Sequence, residues 1–454
     1  MNHAPAASPW RAELVAMLKL ATPVVVVQLG LMSFGVVDTM MLGHYHESSA
    51  LAAAGIGHLF SMLILLVGFG LLMGLDPLLT QAYGAKRYEA VAAHFKRGLV
   101  VALGLTVLAT VGMWCAEGSL RLLRQDEELI GPATRYIKIV SFGNLGFLLT
   151  IVLRQTLQAM SIVAPLVKAT LIGNVFNIVG NWGLIWGNWG LPEMGLEGSA
   201  VTTAASRTLL LVSFAYLSRS HWLPLWRMET EGATRRGYGA LLALGLPLSL
   251  QLSMEAGIFN AVGFRMGTKG VVAVAANQVT LNVASLVFMI PVGIGAAVAT
   301  RVGNAIGEGD LKRASYSARI AMILATSFMV VSGAVFILAP QFIAGFYCED
   351  HPDVLLFAAT LIPVAGYFSI FDGVQCIAHG ILRGMADTKV PAFLSLVAFW
   401  VIGFPLGMWL DQESILGPPG LWWGLVAGLA TMAITLCWRI VVHFKRGVSA
   451  YEEG

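Results

Sequence analysis

The sequence predicts an all-α polytopic membrane protein with twelve transmembrane helices in two pseudo-symmetric six-helix bundles. Three observations predict it. The 454 residues are 57% hydrophobic and only 12% charged, against about 25% charged for an ordinary soluble chain. Apolar stretches recur along the chain at the length of roughly 20 residues that a helix needs to cross a bilayer. The second half also repeats the first. The 50 glycines and 17 prolines suit close helix packing and kinked spans.

Expected spans fall near residues 15–40, 50–78, 98–117, 132–157, 163–187 and 197–218, then 240–264, 271–299, 316–345, 354–382, 390–410 and 417–441. Between the two sets, "SRSHWLPLWRMETEGATRRGYG" reads as a polar, basic linker. The repeat aligns "KLATPVVVVQL" with "ALGLPLSLQL", so Pro23 matches Pro247, and it aligns Gly84 with Gly307. "LQAMSIVAP" returns as "LRGMADTKVP" and "GLEGSAV" as "GPPGLWWG", and every offset lies between 222 and 226 residues. Six spans per half is an even number, so both halves enter from the same side. That implies a pseudo-two-fold along the membrane normal and a cavity between the bundles. The expected lobes are residues 1–225 and 226–454. Lys and Arg concentrate in the segments that are inside if the N-terminus is inside, which puts both termini in the cytoplasm. The first span is expected to stay as an uncleaved anchor.

Other functions lack support. A net charge of +3 without a basic run gives no case for nucleic acid. Cys115, Cys348, Cys376 and Cys437 lie far apart and form neither a disulfide framework nor a structural metal site. No HExxH, GxSxG, Walker A or dinucleotide fingerprint stands in a sensible context, so no enzyme is expected. With no soluble nucleotide engine, uphill work must come from ion gradients.

The informative residues are polar ones within the spans. Asp38 interrupts "FGVVDTMMLG", where an ionised acid costs about 2.5–3.5 kcal/mol on insertion scales. Glu255 in "LQLSMEAGIFN" and Asp372 in "YFSIFDGVQCIAHG" raise the same question. Such acids face a bundle interior or a watery path for ions or substrate, or they are structural pairs. No basic residue lies in the same stretches. Asp76, before Pro77, reads instead as the cap of a broken helix. In the fifth span Asn174, Asn177 and Asn181 share one face, and Thr202 or Thr203 can add a hydroxyl. With Asp38 they make an oxygen-rich pocket, or they are interhelical glue. In the second half Gln251 pairs with Glu255 and Gln278 with Asn282 at i, i+4, while Asp372, Gln375 and His379 run i, i+3, i+7. Phe259, Phe288, Tyr367 and Phe368 can supply aromatic walls to a cation, or plain packing, and His379 reads as structural.

"ATPVVVVQLGLMSFGVVDTMMLGH", "TQAYGA", "SLVFMIPVGIGAAVATRVGNAIG" and "HGILRGMADTKVP" resemble the multidrug and toxic compound extrusion (MATE) family, in particular its NorM-like bacterial branch. The resemblance runs in order from about residue 15 to 440. It implies two six-helix lobes in the inner membrane that alternate in access, exporting small organic cations or amphipathic drugs for Na⁺ or H⁺, without a cofactor and as a monomer. It also implies that Asp38, Asn177, Asn181 and Thr203 carry ion or proton coupling in the first lobe, and that Glu255 and Asp372 hold ion or substrate in the second. The branch tends to show tyrosine four residues before the tenth-helix acid, where this chain has Phe368. The rivals are a lipid-linked oligosaccharide flippase of the same superfamily and a major-facilitator-type transporter. The flippases tend to have fourteen spans and basic cavities, and the second rival lacks its expected G-x-x-x-D-R-x-G-type loop here.

Overall fold

Lipid offers backbone amides no hydrogen-bond partner, so a chain this apolar must satisfy them within its own helices. The computed structural model describes residues 9–46, 48–123, 125–230, 235–348 and 351–451, and all regular structure among them is helical. Helix α1 (Pro9–Gly43) is followed by α2 (Ser48–Met73) and α3 (Leu75–Gly84), one span interrupted at Gly74. Then come α4 (Tyr88–Trp114), the short α5 (Ala116–Leu122), and the pair α6 (Glu127–Ser141) and α7 (Asn144–Ala159), bent by 46°. The N-terminal half closes with α8 (Ala164–Trp186), α9 (Gly195–Leu217) and α10 (Arg219–Arg227).

The C-terminal half holds α11 (Arg235–Gly267), α12 (Val271–Gly307), α13 (Leu311–Leu338), α14 (Pro340–Cys348) and α15 (Pro352–Gly384). Its eleventh span joins α16 (Lys389–Ser395), a π-helical stretch Leu396–Gly403 and α17 (Phe404–Leu410), and α18 (Pro419–Arg446) ends the fold. Pro23 and Pro247, the pair aligned by the repeat, both lie inside their helices.

Among the described residues ten helices are long and apolar enough to cross a membrane, eleven with the bent pair counted as one. The remaining expected span is α8. Its 23 residues suffice in length, but Lys168, Asn174, Asn177 and Asn181 depress its mean hydropathy. The third span starts earlier than its apolar stretch suggested, because α4 continues through the polar "YEAVAAHFKRG". The expected linker contains α10, which buries Leu225, while residues 231–234 lie outside the described set. Cys115, Cys376 and Cys437 are free thiols, and the side chain of Cys348 is outside the described set.

The chain forms two compact units, one of residues 26–249 and one of residues 1–25 with 250–452. The first has a core around Leu65, Met113, Ile137 and Ile185. The second is centred on Leu361, Phe399, Trp422 and Leu429. Lipid is as apolar as these side chains, so close packing and polar bonds hold the helices together rather than exclusion of water. In the second unit the foot of α1 is tied by Glu13, which accepts from Arg301 Nε at 2.9 Å and Ser317 Oγ at 2.5 Å. In the first unit the bend between α6 and α7 brings α7 against α9. A Cβ on Gly143 would lie 2.9 Å from Ala204 Cα, and one on Gly146 would lie 2.8 Å from the Arg207 carbonyl oxygen. Only glycine permits that approach.

Candidate functional site

In the first unit, α1 and α8 bring Asp38 to the asparagine face predicted from helical spacing. Asn177 Nδ2 donates to Asp38 Oδ1 at 3.0 Å and Asn181 Nδ2 to the same oxygen at 2.6 Å. Thr203 on α9 donates to Oδ2 at 2.8 Å. Three neutral donors therefore solvate a half-buried carboxylate in place of water. The arrangement also orphans two acceptors, since Asn177 Oδ1 and Asn181 Oδ1 are buried with no hydrogen-bond partner among the described residues. Unpaired buried acceptors next to a carboxylate form an oxygen-rich set of the kind a hard cation takes.

The other two candidates near this cluster are engaged elsewhere. Asn174 Nδ2 donates to the Gly30 and Thr170 carbonyls, both at 2.9 Å, and Asn174 accepts from Ser33, so it joins α8 to α1 below the acid. Thr202 is buried and donates to the Gly198 carbonyl of its own helix at 2.9 Å. Sequence reasoning missed three neighbours of Asp38. Tyr136 on α6, His58 on α2 and Arg207 on α9 all lie within electrostatic reach of it. Arg207 had a legible signal: it is the lone base of its span and stands four residues after Thr203, on the same face.

The second unit places its acids differently. Asp372 on α15 is 5% exposed, and Glu255 on α11 is half-buried within electrostatic reach of it. Among the described residues no hydrogen bond or ion pair reaches either carboxylate. Gln251 and Gln375, one helical turn away, are buried, and among the described residues their Oε1 atoms have no partner, nor does His379 Nε2. Gln278 and Asn282 are exposed on α12, and the buried amide beside them is Asn277, whose Oδ1 accepts from Trp422 Nε1 at 3.0 Å. Phe368 is buried edge-on between Phe259 and Trp422, with centroids 5.9 and 5.4 Å away. Tyr367 lies against Trp423 at 5.5 Å. The aromatic wall beside Asp372 thus presents Phe368 without a hydroxyl.

The sequence model of the family described as MatE matches residues 23–182 and again 247–409. The chain belongs to the MatE family. The two matches begin at Pro23 and Pro247, the prolines that the internal repeat pairs, so each half is one copy of the family's unit. A multidrug resistance protein NorM from Burkholderia vietnamiensis is 36% identical over 94% of this chain and 93% of its own length. A probable multidrug resistance protein NorM from Brucella suis is 31% identical over 95% and 94%. The fold matches the crystal structure of the eukaryotic MATE transporter AtDTX14 with a TM-score of 0.87, at 23% identity, over 97% of this chain and 98% of that one. The fold is therefore the two pseudo-symmetric six-helix bundles expected from the sequence.

Proposed function

We propose that this MatE protein exports cationic or amphipathic organic compounds from the cytoplasm in exchange for Na⁺ or H⁺. It does so as a monomer in a bacterial inner membrane, with both termini on the cytoplasmic side and lobes at residues 1–225 and 226–454. Relatives named for multidrug resistance support the substrate class, and their bacterial sources support the location. The observation that carries the exchange reading is Asp38, a carboxylate within a span whose direct partners are all neutral. An acid held this way keeps its appetite for positive charge, which a proton, a metal cation or a cationic drug can each satisfy. Glu255 and Asp372 offer the same appetite in the other unit, beside rings that suit an organic cation.

Ion and drug then take turns on the carboxylates as access alternates between the two sides. One charge moving across about 100 mV is worth about 2.3 kcal/mol. At 1.4 kcal/mol per tenfold, that sustains roughly a fifty-fold drug gradient if fully coupled. The orphaned Asn177 and Asn181 oxygens suit Na⁺, and protonation of the same carboxylate is the other way to neutralise it. The test is dye efflux from vesicles with a Na⁺ or a pH gradient imposed one at a time. The gradient that drives efflux identifies the ion, and Asp38→Asn, Glu255→Gln and Asp372→Asn should each impair pumping at normal protein levels. Normal pumping by all three variants would overturn the assignment.

A further inference from the structure

Of the neighbours of Asp38 that the exchange scheme leaves unused, Arg207 is the one with a fixed positive charge. An arginine cannot shed its proton within a protein, so its charge must be balanced where it stands. Its Nη1 is buried with no hydrogen-bond partner among the described residues, a donor left unmade. Its guanidinium carbon lies 5.5 Å from the centre of the Phe147 ring, a cation–π contact that holds it without neutralising it. The charged and titratable side chains that act on it are Asp38 on α1, Tyr136 on α6 and His58 on α2. Asp38 is the only carboxylate among them.

The geometry lets the two meet. Thr203, whose hydroxyl already donates to Asp38 Oδ2 at 2.8 Å, and Arg207 are one turn apart on the same face of α9. Asp38 Oδ1 receives two donors, whereas Oδ2 receives Thr203 alone among the described residues, so Oδ2, the oxygen that α9 already reaches, keeps room for a further donor. The bend in the fourth span makes room for the stem, since a Cβ on Gly143 would come within 3.0 Å of Arg207 Cδ.

We infer that Arg207 is an internal counter-cation that competes with the coupling ion for Asp38. It rests on Phe147 while the carboxylate holds the ion, and it moves onto Oδ2 when the ion departs. The bare acid is thereby never left uncompensated inside the membrane, and ion release is favoured. This rests on the exchange function proposed above.

The test is gradient-driven dye efflux from reconstituted vesicles, with the driving cation titrated to give a half-activating concentration and a maximal rate separately. In Arg207→Met the competitor is gone, so the half-activating concentration falls, by about tenfold on the usual scale of coupling between sites. The maximal rate falls with it, because the ion leaves slowly. Arg207→Lys keeps the charge and should restore both values towards the parent. Phe147→Leu removes the resting place and should raise the half-activating concentration, the opposite sign. A structural role for Arg207 would lower the maximal rate alone. The proposal is overturned if Arg207→Met reaches the membrane and leaves the half-activating concentration unchanged. If that variant does not accumulate, an unchanged value in Phe147→Leu overturns it. A parent driven by neither gradient would sink the exchange reading itself, a result separate from either variant.

Discussion

The two units answer the same electrostatic problem in opposite ways. In residues 26–249 one carboxylate is met by three neutral donors from two other helices, with an arginine in reach. In the other unit two carboxylates act on one another and, among the described residues, neither has a donor and the amides beside them are unpartnered. The first site is organised before any ion arrives. The second is a pair of acids that no donor reaches among the described residues, left for a cation to complete under the proposed exchange. Preorganisation lowers the ordering cost of binding, whereas an uncompleted pair of acids gains more from whatever neutralises it. The first arrangement suits a small ion of fixed geometry, the second a larger and more varied cation.

The contrast can be broken by thermal unfolding of the purified protein in detergent. The largest effect is expected from Asn177→Leu with Asn181→Leu, which strips Asp38 Oδ1 of both donors. At about 1.5–3 kcal/mol for each bond to a charged group, the pair should cost at least 3 kcal/mol, and a loss below 1 kcal/mol would mean the donors are dispensable. Next comes linkage. A cation at a hundred times its dissociation constant stabilises by about 2.7 kcal/mol. Glu255→Gln and Asp372→Asn should abolish the part of that rise belonging to the second unit while raising cation-free stability. A fall in cation-free stability would show that the two acids already have a partner.

A third expectation concerns the missing hydroxyl. Phe368→Tyr puts a polar group into a cluster that offers it no partner among the described residues, at about 1–3 kcal/mol. A gain in stability would show that the new hydroxyl reaches Asp372. The smallest effect belongs to Gln251→Leu, where an unpaired buried amide oxygen is replaced by a side chain of similar size. The change should be neutral or stabilising by up to about 1 kcal/mol, and a clear loss would reveal a role for the amide.

The sequence made the Asp38 cluster legible because it is written in one period. Asn177 and Asn181 are one turn apart, so a single helical face delivers both to one acid. The two-copy fold was legible for a similar reason, since prolines and glycines recur in order at nearly constant spacing. Long-range placement was not legible. Tyr136 and His58 reach Asp38 only because the broken fourth span and α2 pack where they do, and no local pattern encodes that. The phase of α12 was also hidden. Asn277 and Gln278 differ by about 100° around the axis, and in a helix apolar on every side nothing in the sequence says which of them turns inward. Trp422 decides it, by donating to Asn277.

The π-helical stretch Leu396–Gly403 limits what duplication could preserve. Bonds from i to i+5 widen the turn, so residues before and after the stretch no longer line up as they would on a regular α-helix. By the pairing of the halves, this eleventh helix is the twin of α8, whose unbroken winding stacks its asparagines in a column. The eleventh helix, residues 389–410, carries no such column of amides. The acids of the second half stand instead on α11 and α15, the twins of the first and fourth helices.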